Sequence, residues 1–162
     1  MSDFQNLPRP AWHLVPIENY RNSPTSHGIN RGFSMPMLAS RGCPFQCTFC
    51  SSPKMWTTRY IMRDYIDVVD EVEELVNKYG IEGVDLCDLT AFTQKAWVAS
   101  FCKEILKRNI SVYWQLPSGT RSEALDEETL NYLYQIKCHD MVYAPESGSE
   151  KTLQQIKKKI HL

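Results

Sequence analysis

From residue 37 onward the sequence changes period repeatedly. Short apolar or β-branched runs alternate with longer segments whose apolar residues recur every three or four positions. "MLAS" (37–40) predicts a first strand, and "RDYIDVVDEVEELVNKYG" (63–80) predicts a helix. In that helix Tyr65, Val68, Val69, Val72, Leu75, Val76 and Tyr79 share one side, and Gly80 stops it. "GVDLCDL" (83–89) predicts a strand and "TQKAWVASFCKEILKRN" (93–109) a helix, with Trp97, Phe101, Ile105 and Leu106 on one face. "ISVYWQLP" (110–117) is β-branched and aromatic, as strands are. A third helix, "DEETLNYLYQIK" (126–137), has Asp126 placed to cap it. "DMVYAP" (140–145) predicts the fourth strand and "SEKTLQQIKKKI" (149–160) the fourth helix, with Ser149 as its cap. Lys157, Lys158 and Lys159 read as a solvated last turn complementing the helix dipole. Repeated βα units demand a parallel sheet with helices outside it, so the fold class is α/β.

Residues 1–36 differ: Pro8, Pro10, Pro16, Pro24 and Pro36 interrupt them and apolar periodicity is poor. They read as an extended lead-in that packs on something, or as a linker, with the α/β domain over 37–162.

In parallel sheets the chemistry sits on loops at the C-terminal ends of the strands. Here those loops carry "SRGCPFQCTFCSS" (40–52), then Asp85, Asp88 and Thr90, then "SGTRSE" (118–123), then "ESGS" (146–149). The first holds Cys43, Cys47 and Cys50 in a C-x3-C-x2-C spacing. With six cysteines in the chain, disulfides need consideration. No secretion signal is visible, and a chain of this length builds a core without cross-links, so reduced thiols in the cytoplasm are expected. A net charge of −1 gives no bulk attraction to nucleic acid or an anionic membrane, and no apolar run approaches a membrane span.

Clustered thiolates bind zinc or iron–sulfur clusters. Structural zinc wants four ligands, commonly two separated pairs, and neither Cys87, Cys102, Cys138 nor His27 offers a second pair. Zinc and a chance grouping of thiols remain the alternatives. A four-iron cluster on three thiolates leaves one iron open to a small molecule. Cys87, Cys102 and Cys138 read as small buried apolar residues. His13, His27, His139 and His161 show no metal spacing.

"RGCPFQCTFC" resembles the cluster loop of the radical S-adenosylmethionine (SAM) enzymes. "SSPKMW", "DLTAF", "LPSGTRSEALD" and "YAPESGSEKTLQQIKK" resemble the cobalamin-dependent branch, which includes methyltransferases and the anaerobic magnesium-protoporphyrin IX monomethyl ester cyclase. The likeness covers residues 30–160. It implies a partial (β/α) barrel, a [4Fe-4S] cluster on Cys43, Cys47 and Cys50, and reductive cleavage of SAM to a 5′-deoxyadenosyl radical. It implies that Phe49 packs on the adenine, that Asp85 or Asp88 meets the amino end of SAM, and that Arg121 meets its carboxylate. Glu146 and Ser147 fall at the ribose or methionine part. "DLCDLT" stands where relatives show a "GGEP"-type segment, which leaves the choice between Asp85 and Asp88 open, with Asp88 the expected contact. Helix capping is the competing role for these carboxylates, as a surface ion pair is for Arg121.

The resemblance further implies a small-molecule substrate, an electron donor such as flavodoxin or ferredoxin, and cobalamin in the complete protein. It implies no nucleic acid and no membrane. The radical SAM core has six βα units and four are visible, so the expectation is the N-terminal portion of a core, completed by another domain or chain. A non-catalytic remnant that only holds a cluster is the runner-up.

Overall fold

The helix that follows the cysteine loop shows how local sequence sets the frame. Asp64 accepts a hydrogen bond from the Ile66 N–H and starts the helix; Gly80, in the left-handed region, ends it. Val68, Val69, Val72 and Leu75 are buried along one stripe between those caps. The computed structural model describes residue 4 and residues 8–22, 28–121 and 125–160. In chain order the elements are α1 (Glu18–Arg21), β1 (Ser34–Met37), β2 (Ser40–Arg41), α2 (Ser52–Met55), β3 (Ile61–Met62) and α3 (Tyr65–Tyr79). They continue with β4 (Gly83–Leu86), α4 (Lys95–Lys107), β5 (Tyr113–Thr120), α5 (Glu127–Gln135), β6 (Asp140–Tyr143) and α6 (Glu150–Gln155).

The strands β1, β4, β5 and β6 form one parallel sheet in that order. Each strand of this sheet therefore lies beside the sheet strand that follows it in the chain. Right-handed crossovers that always step in the same direction put every connecting helix on one face. Accordingly α3 packs beside α4, and α4 beside α5. This is the arrangement of a barrel wall, not of a doubly wound sheet with helices on both sides. Between sheet and helices, Phe101 on α4 stacks on Trp97 at 5.1 Å and meets Trp114 on β5 edge-on at 5.1 Å. Phe101 and Trp114 are buried. Each such ring contributes about 2–3 kcal/mol by leaving water.

Several elements depart from the sequence expectations. The first sheet strand is Ser34–Met37, ahead of the expected 37–40, and contains Pro36. β1 is an edge strand, where proline is tolerated because one side of the ladder is unpaired. Of the expected "MLAS" strand, Ser40 belongs to β2, which pairs antiparallel with β3. β5 runs to Thr120, three residues past the expected end. Its register with β6 shifts between Leu116 and Thr120. Gly119, at φ +84°, sits in that irregularity, and a Cβ there would lie 2.8 Å from the Val142 carbonyl oxygen. Helix α6 ends at Gln155, so Lys157–Lys159 are not its last turn. Lys157 and Lys159 have positive φ, which stops the helix.

The lead-in packs back on α3 and is not simply extended. It carries a 3-10 turn at Trp12–Leu14 as well as α1. Arg9 bonds Glu74 and Asp67 on α3, Arg21 donates to the Tyr79 carbonyl at 2.9 Å, and Ile17 is buried.

Candidate functional site

The cysteines lie on an excursion closed at its base by the β2–β3 ribbon. Gly42, directly before Cys43, has φ +89°, and a Cβ there would come within 2.0 Å of the Arg59 carbonyl oxygen. Only glycine lets the two ends of the excursion approach this closely. The base is tied to the end of β4. Asp88 accepts from the Ala39 N–H at 3.2 Å and from the Ser40 hydroxyl, while the Tyr60 hydroxyl donates to the Thr90 carbonyl at 3.2 Å. Asp88 is 1% exposed, and burial raises its pKa above the ordinary carboxylate value.

All six cysteines are free thiols, and Cys43 and Cys47 are half-buried while Cys50 is exposed. Burial raises the Cys43 pKa, with neighbouring Cys47 and Cys50 adding to the rise; the Phe45 N–H, hydrogen-bonded to its sulfur, opposes it. The Cys50 sulfur accepts from the Ser52 N–H at 3.4 Å. The Cys50 sulfur thus receives a main-chain donor, one of the means by which proteins tune iron–sulfur centres. Among the described residues no three His, Cys, Asp or Glu side chains converge on one ion position. A cuboidal cluster spreads its cysteine ligands over different iron atoms and does not need that convergence. Three cysteine thiols on one loop are a donor set that fits a cluster held by three thiolates.

Phe49 lies on this loop, and the structure brings Arg121 to it directly and Glu146 through Lys158. Phe49 is 57% exposed, and the Lys158 ammonium stands 5.9 Å from its ring centroid. The same ammonium pairs with Glu146 at 2.9 Å. Glu146 has φ +70°, a strained conformation for a non-glycine residue and one that clusters at functional positions. Ser147 accepts from the Ser149 N–H through its hydroxyl at 3.1 Å. Arg121, expected at a carboxylate, has its guanidinium on main-chain carbonyls and on the ring of Phe45. Asp85, on β4, accepts from the Ser34 hydroxyl at 2.8 Å, whereas Asp88 lies past the strand end. Leu38 and Leu89, just past β1 and β4, and Val142 and Tyr143, which end β6, are exposed apolar residues.

Other residues stay outside the site. Cys102 and Cys138 are buried, their thiol pKa values pushed up to about 12 by burial. Cys87 borders a cavity of about 510 Å³ beside the lead-in, which none of the trio lines. His13 and His139 are exposed, and His27 and His161 lie outside the described residues, as do Ser122 and Glu123. Sequence reasoning missed Ser40, Tyr60 and Lys158. The first two follow from a ribbon too short to show a period, and Lys158 is placed by a tertiary turn.

Comparisons with known proteins bear on the family and the fold. The family model described as the Radical SAM superfamily matches residues 37–162. The chain is 29% identical over 164 residues to the cytidylyl-2-hydroxyethylphosphonate methyltransferase of Streptomyces wedmorensis, covering 97% of this chain and 29% of that protein. It is 34% identical over 121 residues to the anaerobic magnesium-protoporphyrin IX monomethyl ester cyclase of Rubrivivax gelatinosus, covering 75% of this chain and 21% of that protein. Among solved structures, the radical S-adenosylmethionine methyltransferase TsrM from Kitasatospora setae, with cobalamin and a [4Fe-4S] cluster bound, aligns with a TM-score of 0.54 at 25% identity. That match covers 63% of this chain and 20% of TsrM. The cobalamin-dependent S-adenosylmethionine radical enzyme OxsB shares the fold, with a TM-score of 0.64 at 16% identity over 78% of this chain and 20% of OxsB.

Proposed function

This chain belongs to the radical SAM superfamily, and from that premise we propose that Cys43, Cys47 and Cys50 hold a [4Fe-4S] cluster whose remaining iron takes SAM. The observation that carries the reading is the loop itself. Three free thiols lie on one excursion at the C-terminal rim of a parallel sheet, and the last of them accepts a main-chain N–H. When bound, the cluster would supply one electron to the SAM sulfonium, so that the S–C5′ bond breaks to leave methionine and a 5′-deoxyadenosyl radical.

The chain's own residues would bind and orient the nucleotide. Phe49 presents an exposed ring face beside the last ligand, suited to stacking on adenine. Glu146 and Ser147, on the strained turn after β6, offer a carboxylate and a hydroxyl for ribose or amino groups. Asp88 holds the ribbon that carries the loop, and any contact it makes with the amino end of SAM would come from that anchored position. An electron donor of the flavodoxin or ferredoxin type would meet the exposed side of the loop. The full activity is proposed as methyl transfer or cyclisation on a small molecule with cobalamin, because the methyltransferase and the cyclase both match at this level.

The test is direct. The full chain is loaded with iron and sulfide without oxygen, reduced and given SAM, and 5′-deoxyadenosine is quantified. Product above a Cys50→Ala control is expected. A loaded cluster that neither binds nor cleaves SAM contradicts the reading.

A further inference from the structure

The segment after α6 returns to the cysteine loop and holds it at separate points. The Thr48 N–H donates to the Ile156 carbonyl at 3.0 Å. Arg121, the residue after β5, donates through Nη2 to the carbonyls of Lys158 and Lys159 at 2.5 and 2.6 Å. Its guanidinium carbon also lies 3.6 Å from the centroid of the Phe45 ring. Arg121 is 7% exposed, so both interactions operate largely out of water. Phe45 stands between Cys43 and Cys47 in the chain.

We propose that Arg121 is a positioning residue that clamps the cysteine loop, through the face of Phe45, to the turn after α6. Arginine suits this task because a planar guanidinium donates in its plane while its face stacks on a ring. Lysine, a point charge, cannot do both. The peptide carbonyls give the clamp a fixed anchor, and the ring carries that anchoring to the segment joining two of the thiols. This deepens the cluster reading, on which its functional meaning rests, but the clamp itself is a property of the chain without metal.

The experiment reads amide hydrogen exchange on the full chain before any iron is added. Arg121→Ala and Phe45→Leu are expected to speed exchange across residues 43–50 roughly tenfold while α3 and α4 keep wild-type protection. Phe45→Tyr, which restores a ring face, should exchange like wild type. The double variant should exchange no faster than Arg121→Ala alone, because both remove one coupled contact. After anaerobic loading, iron loss to a chelator should be faster in Arg121→Ala and Phe45→Leu and unchanged in Phe45→Tyr. If Arg121→Ala loosens the whole chain, α3 and α4 report it, and Phe45→Leu, on a half-buried loop residue, still decides. Unchanged loop exchange in Phe45→Leu, or Phe45→Tyr as fast as Phe45→Leu, overturns the clamp. A wild-type chain that takes up no iron or sulfide sinks the cluster reading instead, and the exchange rates alone then uphold or overturn the clamp.

Discussion

The Asp88 carboxylate accepts the Ala39 N–H at 3.2 Å, tying the end of β4 to the residue that leads into the cysteine excursion. The bond spans neighbouring βα units, so the sheet itself sets where the thiols stand.

That link has a pH signature. Burial raises the Asp88 pKa above 3.8, so the folded chain favours the protonated carboxyl. Its contribution to stability is complete below the unfolded value and declines as pH rises through the folded one. Asp88→Asn removes this titration and replaces an acceptor of two donors by an amide. It is expected to cost about 1–3 kcal/mol, with the deficit largest in acid and narrowing toward neutrality. Denaturant unfolding of both chains from about pH 4 to pH 8 checks this; a deficit that widens with pH contradicts it.

Gly42 gives a sharper steric test. At φ +89° with the Arg59 carbonyl in the way, Gly42→Ala must distort the ribbon. A loss of at least about 2 kcal/mol and impaired iron uptake are expected, measured by denaturant unfolding and metal analysis. A substitution that leaves both unchanged would mean the excursion does not close as described.

Thiol reactivity should sort the cysteines by place. Cys50 is exposed, whereas Cys102 and Cys138 are buried with pKa values near 12. Alkylation of the folded metal-free chain at about pH 8, followed by peptide mapping, should modify Cys50 first and the buried pair only after unfolding.

The aromatic cluster sets core stability. Phe101 is fully buried against Trp97 and Trp114. Phe101→Ala is expected to cost about 3–5 kcal/mol in unfolding free energy, read by denaturant melts. Phe101→Leu should cost clearly less.

Much of this was legible beforehand. The three-and-four spacing of Val68, Val69, Val72 and Leu75 announced α3, and Asp126 and Ser149 cap α5 and α6 as their positions suggested. The sheet came from the repeated βα order, because parallel strands need crossovers. What escaped was tertiary in origin. The β2–β3 ribbon has two residues a side, too few for any period. Proline at 36 hid β1, since its fitness there depends on the strand being at an edge. The contacts of Arg121 with the Lys158 and Lys159 carbonyls were not legible either, because carbonyls leave no mark in a sequence.

The most direct test of the central claim is the iron and sulfide content of the full chain after loading without oxygen, followed by electron paramagnetic resonance of the reduced form with and without SAM. About four iron and four sulfide per chain are expected, with a signal that changes when SAM is added, and both should be lost in Cys43→Ala, Cys47→Ala and Cys50→Ala. Zinc in place of iron and sulfide, or loading that survives alanine at all three positions, would contradict it.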